Sequence, residues 1–253
     1  MADLSVYPDS ETWARAAADA VVALASEAIA ARGRFRVALS GGGTPQPVYR
    51  RLAEASCRSR VDWSRVSVFF ADERCVAPED ARSNYGMVRE ALLAHVPIAP
   101  TRVHRMRGEE DPERAATEYA QVLDAPDDGD ERLDAAQRGR LDLALLGMGR
   151  DGHTASLFPG MAVVLEPRRR VAAVHVEALA MWRVTLTPVA LNAARHVLFL
   201  VTGSEKAEPL RCVLEGPDVP TAWPAQAIRP HDGSLRWLVD AAAAAQLTGA
   251  PRL

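Results

Sequence analysis

The 253-residue chain is poor in the features that mark secreted, membrane-bound or nucleic-acid-binding proteins. Cysteine occurs only at Cys57, Cys75 and Cys212, an odd number at wide spacing. That argues against a disulfide framework or a cysteine metal site and for reduced thiols in a reducing compartment. No long apolar run is present. The longest stretch near the N-terminus, Ala14 to Ala31, is broken by Arg15, Asp19, Ser26 and Glu27, and reads as an amphipathic helix rather than a membrane span. No basic segment followed by an apolar core precedes it, so no secretory leader is expected and the cytoplasm is the expected location. An excess of one charge is also lacking: the net charge is -3, lysine is scarce, and the arginines are scattered among acids. Neither nucleic acid nor membrane is an expected partner. Two catalytic or binding signatures are missing as well. The chain has no Gly-Lys-Ser/Thr phosphate loop and no G-x-S-x-G nucleophile elbow, and the glycine loop from Ser40 to Thr44 does not have the G-x-G-x-x-G dinucleotide spacing.

What is present is an ordinary globular composition, 48% apolar and 25% charged, ample for a core. The length fits one large domain or two small ones at roughly 100–200 residues each, and a single domain over 1–253 is expected. The organising stretch is Leu141-Asp142-Leu143-Ala144-Leu145-Leu146-Gly147, followed by Met148-Gly149-Arg150-Asp151-Gly152-His153. A near-continuous apolar run predicts a strand buried on both faces. Three glycines within six residues let the chain turn sharply and approach a ligand, and Asp151 and His153 follow.

In order, Asp9-Ser10 caps a helix that Gly33 closes, and Phe35 to Leu39 is the first predicted strand. It runs into Ser40-Gly41-Gly42-Gly43-Thr44-Pro45, with Pro45 and Pro47 in the first turn of the next helix. Val66 to Phe70 predicts a strand ending in a turn, Asp72-Glu73-Arg74. Ser83-Asn84 caps a helix through His95, and Pro112 to Leu123 forms another. Asp124 to Arg140, with six acids and three arginines, reads as a solvated excursion. Val171 to Val176 and Trp182 to Leu186 read as a strand pair, and Thr187-Pro188 opens a short helix. His196 to Thr202 is a further strand, leading to Lys206 and a helix to Leu214. Pro224 to Ile228 and Leu235 to Val239 read as strand-like pieces.

Strands thus alternate with helices, which predicts an α/β fold: three layers, a mainly parallel sheet with helices on both faces. If the strands are parallel, the turns at Ser40, Asp72, Gly147 and Thr202 share one sheet edge, where ligands bind in open α/β folds. One cleft is therefore expected to collect Ser40 to Thr44, Asp72 to Arg74, Asp151 to His153 and Lys206. The glycine loop between strand and helix is an anion site, and Arg74 and Lys206 are the cations a phosphate dianion would want. His153 is the proton-transfer group, since an imidazole titrates near neutrality, with Asp151 or Asp72 as its orienting partner. Histidine-activated water attacking an ester carbonyl is the simplest reaction these groups allow. His95, His104, His175, His196 and His231 read as surface or core residues, and no metal is expected because no shell of Cys, His and Glu is completed.

Six segments occur in a familiar order: Ser40 to Pro45, Asp72 to Arg74, Ser83-Asn84-Tyr85-Gly86, Gly147 to Pro159, Arg183-Val184-Thr185-Leu186-Thr187 and Lys206-Ala207. They resemble the 6-phosphogluconolactonases of the glucosamine-6-phosphate isomerase/6-phosphogluconolactonase superfamily, from about Val6 to Val239. The resemblance implies a glucosamine-6-phosphate deaminase-type fold. It also implies hydrolysis of 6-phospho-D-glucono-1,5-lactone to 6-phospho-D-gluconate in the pentose phosphate pathway, without a cofactor. It implies His153 as general base, with Asp151 and Asp72 supporting it. Gly42, Gly43, Thr44, Arg74, Arg183 and Lys206 would hold phosphate or sugar hydroxyls, with the division of labour among the cations left open. A monomer is expected, with the phosphorylated lactone as its small-molecule partner. Two departures stand out: Gly43 replaces a common serine, and Glu177 to Trp182 lacks the prolines often found there.

Two rivals are weighed. In amino-sugar phosphate deaminases of this fold a glutamate follows the motif histidine by five residues, where this chain has Phe158, and an aromatic residue follows the Asp-Glu pair, where it has Arg74. A non-catalytic sugar-phosphate sensor would carry a DNA-binding helix pair first and would not need His153. Both comparisons favour the lactonase.

Overall fold

The computed structural model describes residues 3–125 and 139–249. Six strands form one parallel sheet: β1 (Asp3–Tyr7), β2 (Phe35–Leu39), β3 (Val66–Phe70), β5 (Leu143–Gly147), β8 (His196–Val201) and β9 (Ser234–Asp240). Their spatial order is β1-β9-β8-β5-β2-β3. A smaller antiparallel sheet, β4-β7-β6, is built from β4 (Asp72–Arg74), β6 (Val171–Val176) and β7 (Met181–Leu186).

The alternation of side chains along each strand explains the layers. Val37, Leu39, Leu143, Leu145 and Leu198 join the core under α1 (Ser10–Arg32), α2 (Gln46–Ala53), α3 (Ala55–Arg58) and α4 (Asn84–Ala91). Ala38, Ala144, Leu146, Val197 and Phe199 face the other way. They pack with α5 (Pro112–Asp124), α6 (Pro188–Asn192), α7 (Ala207–Glu215) and the small sheet. Strands buried on both faces are apolar at nearly every position, so β2, β3 and β5 carry no period-two pattern, with buried Arg36 and Ser67 as the polar exceptions.

The helix ends follow local chemistry. The Asp9 carboxylate accepts from the Thr12 N–H at 2.7 Å, and Gly33 closes α1 at φ 73° with its N–H on the Ile29 carbonyl. The prolines at the start of α2 cost nothing, because first-turn N–H groups have no intrahelical acceptor.

Three expectations are corrected. The first strand is β1, ahead of α1, not Phe35–Leu39. It is an edge strand in which only Val6 is buried, so it has no apolar pattern to read. Asp72–Arg74 is not a plain turn but a short strand paired with β7. Pro224–Ala227 forms a helical turn instead of a strand, pinned by Gln226, whose amide donates to the Cys212, Val213 and Pro217 carbonyls. Most of the acidic excursion after Asp124 lies outside the described residues.

The chain steps from β2 to β3 on one side and to β5, β8 and β9 on the other. The crevice at the carboxyl ends of β2 and β5 is thus a topological switch point, the favoured ligand position of open parallel sheets.

Candidate active site

A cavity of about 220 Å³ opens at that switch point. Its walls include Ser40 to Pro45, Asp72, Arg74, Asn84, Gly147 to Gly149, His153, Ala155, Arg183 and Lys206. Of the residues expected around one cleft, Ser40 to Thr44, Asp72, Arg74, His153 and Lys206 line this cavity and Glu73, Asp151 and Gly152 do not, while Arg183 reaches it from β7. A contiguous hollow shares Gly43, Thr44 and Lys206 and adds Arg150, Thr202 and Gly203.

The loop after β2 presents backbone. Gly42 sits at φ 90°, in the left-handed region that favours glycine. A β-carbon on Gly41 would lie 1.7 Å from Asn84 Oδ1, whereas one on Gly43 would meet nothing within 4 Å. The N–H groups of Gly41, Gly42 and Gly43 donate to no backbone acceptor among the described residues, leaving a cradle for an anion. Tyr49 fixes its base by donating to the Ser40 carbonyl at 2.8 Å.

The loop after β5 presents side chains. His153 Nδ1 and Asp151 Oδ1 are 2.5 Å apart, and the same oxygen accepts the His153 N–H at 3.2 Å. A carboxylate only accepts, so Nδ1 carries a proton, and in the neutral ring Nε2 is then the nitrogen with the lone pair. Burial opposes charge on Asp151, but the hydrogen bond and charge of His153 hold its carboxyl below the usual range. Gly149 makes room for this pair: a β-carbon there would fall 2.0 Å from Nδ1. The His153 ring stacks on Phe158 at 4.2 Å between centroids, and the Arg183 guanidinium lies over the same ring at 5.5 Å.

Asp72 and Glu73 hold the walls together. Asp72 is buried, accepts Ser156 Oγ at 2.6 Å and Asn84 Nδ2 at 3.0 Å, and pairs with Arg183 at 3.5 Å. Of the two carboxylates considered as partners of His153, Asp151 is the one bonded to it. Asp72 instead ties the His153 loop to β7 and α4. Glu73 accepts from the N–H groups of Arg74, Asn84 and Tyr85 and from Ser83 Oγ, anchoring the start of α4. Burial raises its pKa, opposed by those bonds. Burial also lowers Arg183, against the pull of Asp72, but a guanidinium stays charged. Lys206, half-buried, is held below the usual lysine range by burial, against the attraction of Glu205. The Cys75 thiol is pushed up to about 11 by burial, so it supplies little thiolate near neutral pH. Among the described residues no group of three or more His, Cys, Asp or Glu is placed to hold a metal.

The family model for glucosamine-6-phosphate isomerases/6-phosphogluconolactonase matches residues 8–237, nearly the whole chain. The chain belongs to this family. Within the isomerase/lactonase family, a human 6-phosphogluconolactonase is 37% identical over 248 residues, covering 97% of this chain and 93% of the relative. A solved 6-phosphogluconolactonase from Thermotoga maritima superposes at a TM-score of 0.80 with 28% identity, covering 95% of this chain and all of that one. A monomeric glucosamine-6-phosphate deaminase superposes at 0.81 with 22% identity, covering 96% and 99%, a likeness of fold alone.

Sequence reasoning assigned no part in the site's hydrogen bonding to Asn84, Glu73 or Ser156. Asn84 stood inside the Ser83 to Gly86 motif and Ser156 inside the central one, but their partners are 12 and 84 residues away.

Proposed function

We propose that this chain hydrolyses 6-phospho-D-glucono-1,5-lactone to 6-phospho-D-gluconate, a step of the pentose phosphate pathway in the cytoplasm. The observation that carries the reading is the Asp151–His153 pair opening into a cleft whose far side is a cradle of unpaired N–H groups. His153 Nε2 takes a proton from water as the water oxygen attacks the lactone carbonyl carbon. Asp151 holds the tautomer and stabilises the imidazolium that forms. Collapse of the tetrahedral intermediate breaks the ring C–O bond, and the proton passes to the departing alkoxide. Arg183 lies over the same Phe158 ring as His153, and that shared neighbour supports it as the cation that steadies the developing oxyanion. Gly42, Gly43, Thr44 and Lys206 take the phosphate, with Arg74 beside Arg183 on the paired strands β4 and β7. The chemistry uses no cofactor.

Asp72 is spent on Ser156, Asn84 and Arg183, which leaves Asp151 as the carboxylate serving His153. Phe158 argues against the deaminase, because the residue stacked on His153 offers no carboxylate for ring opening.

The test is a rapid lactonase assay corrected for spontaneous hydrolysis. The parent protein should exceed background, and His153→Ala should lose about 10²–10⁴-fold, the usual worth of general-base help. An unchanged rate removes His153 from this role, and turnover of glucosamine 6-phosphate by the parent protein would favour the deaminase.

A further inference from the structure

Arg150 stands three residues before His153 in the loop after β5, and no step of the proposed hydrolysis uses it. Its side chain is exposed and makes no hydrogen bond or ion pair among the described residues. Arg82, Arg105 and Arg169, by contrast, are bonded to the carboxylates of Asp80, Glu109 and Glu166. The acid next to Arg150 in sequence, Asp151, is spent on His153. Arg150 lines the hollow of about 490 Å³ that adjoins the catalytic cavity, with Glu205 and Lys206 and with Gly43 and Thr44 of the glycine loop. Gly43, Thr44 and Lys206 border both spaces and so mark the passage between them.

The half-buried Lys206 amine also has no bonded partner among the described residues. Burial holds its pKa down against the attraction of Glu205, and the Arg150 charge pushes the same way as burial, so the two cations lie within electrostatic reach of each other. Two cations that share a hollow with the single carboxylate of Glu205 leave a positive excess, which an anion between them relieves. On a 6-phosphorylated lactone the matching group is the phosphate. With the ring carbonyl at His153, the exocyclic C6 arm is the part of the substrate free to enter the passage. A phosphate dianion has oxygens enough for backbone N–H groups, an ammonium and a guanidinium fork together.

We propose that Arg150 is a further phosphate-binding residue of this site, holding the substrate's phosphate from the His153 loop while the glycine loop and Lys206 hold it from theirs. The assignment rests on the lactonase reading above. It gives one loop two tasks, anion recognition at Arg150 and proton transfer at His153. The Asp151–His153 pair and the Thr154 and Ser156 side chains keep the base in place without Arg150, so the loss of Arg150 falls on binding more than on the chemical step.

The experiment compares the wild-type protein with Arg150→Ala and Arg150→Lys in two ways. In kinetics with the phosphorylated lactone, corrected for spontaneous hydrolysis, Arg150→Ala should raise KM about 10-fold, the low end for a charge-assisted hydrogen bond, and lower kcat by much less. Arg150→Lys keeps the charge without the fork and should fall between the two. The second readout needs no turnover: Lys206, the chain's single lysine, is labelled with an amine reagent at increasing inorganic phosphate. Half-protection should take about 10-fold more phosphate in Arg150→Ala. Each variant is compared with itself without phosphate, so any change in the intrinsic reactivity of Lys206 cancels. Unchanged KM and unchanged protection in Arg150→Ala would overturn the proposal. A fall in kcat at constant KM would overturn it too, reducing Arg150 to a brace of the His153 loop. Phosphate protection that depends on Arg150, in a protein with no lactone turnover above background, would instead sink the lactonase reading and leave the anion site standing.

Discussion

The segments at the ends of β2 and β5 have the same outline, a buried strand running into three glycines, but they do opposite things. The loop after β2 exposes its backbone: its N–H groups are unspent and its third glycine borders open space. The loop after β5 hides its backbone and exposes an imidazole. Gly149 yields its side-chain volume to the Asp151–His153 pair, and Gly152, at φ 75°, lies against Trp223. The His153 loop is then sewn down by Thr154 on the Gly147 carbonyl, Ser156 on Asp72, and the Ser156 N–H on Thr185. An anion cradle needs free donors. A general base needs one orientation, and therefore a loop with its own hydrogen bonds satisfied.

The same substitution should separate the two loops. Gly149→Ala puts a β-carbon 2.0 Å from His153 Nδ1, so kcat should fall at least about 10²-fold, as for loss of the base itself. Gly43→Ala meets nothing, and its stability should stay within about 0.5 kcal/mol of the parent in denaturant titration. Comparable kinetic losses in both would erase the distinction.

Next in size is the tie between the His153 loop and the opposite wall. Ser156→Ala leaves one oxygen of buried Asp72 short of a donor, at about 1–3 kcal/mol. Melting temperature should fall by roughly 2–4 °C per kcal/mol for a chain of this size, with kcat reduced more than KM is raised. A normal melting curve would mean that the loop is rigid without Asp72.

Lys206 sharpens the cradle side. It is the chain's single lysine, so an amine reagent reports on the cleft alone once the N-terminal amine is distinguished by peptide mapping. Because burial lowers its pKa, labelling should begin at lower pH than for a free lysine, and inorganic phosphate should slow it. Labelling that ignores phosphate would remove Lys206 from the anion site.

The smallest effect concerns pH. The folded carboxyl of Asp151 titrates below its unfolded value near 3.9, so its stabilising contribution is complete above about pH 4. It is lost as pH falls through the folded value. Asp151→Asn should therefore be less stable than the parent above about pH 4, and that gap should shrink in acid. A gap that grows on acidification would contradict the assignment.

Legibility followed the range of the interaction. Val37, Leu145 and Phe199 announced buried parallel strands because burial on both faces demands apolar runs, and Asp9, Gly33 and Pro47 announced helix ends because capping is local. β1 stayed silent, since an edge strand buries little, and Gln226 hid a helical turn in what reads as a strand. Arg36 lies buried inside β2, where its guanidinium finds the Leu123 carbonyl and the Phe69 ring, partners that no local pattern displays.

The sequence by itself determined the alternation of strands and helices, the glycine-rich turns at their ends, and the residues gathered at one sheet edge. Those follow from periodicity and from backbone preferences within a few residues. Only the tertiary structure decided that Asp151 and not Asp72 serves His153, and that Ser156 and Arg183 hold Asp72. Each of these depends on hydrogen bonds whose lengths and directions are set by the packing of distant elements, and a linear order of residues carries no such geometry.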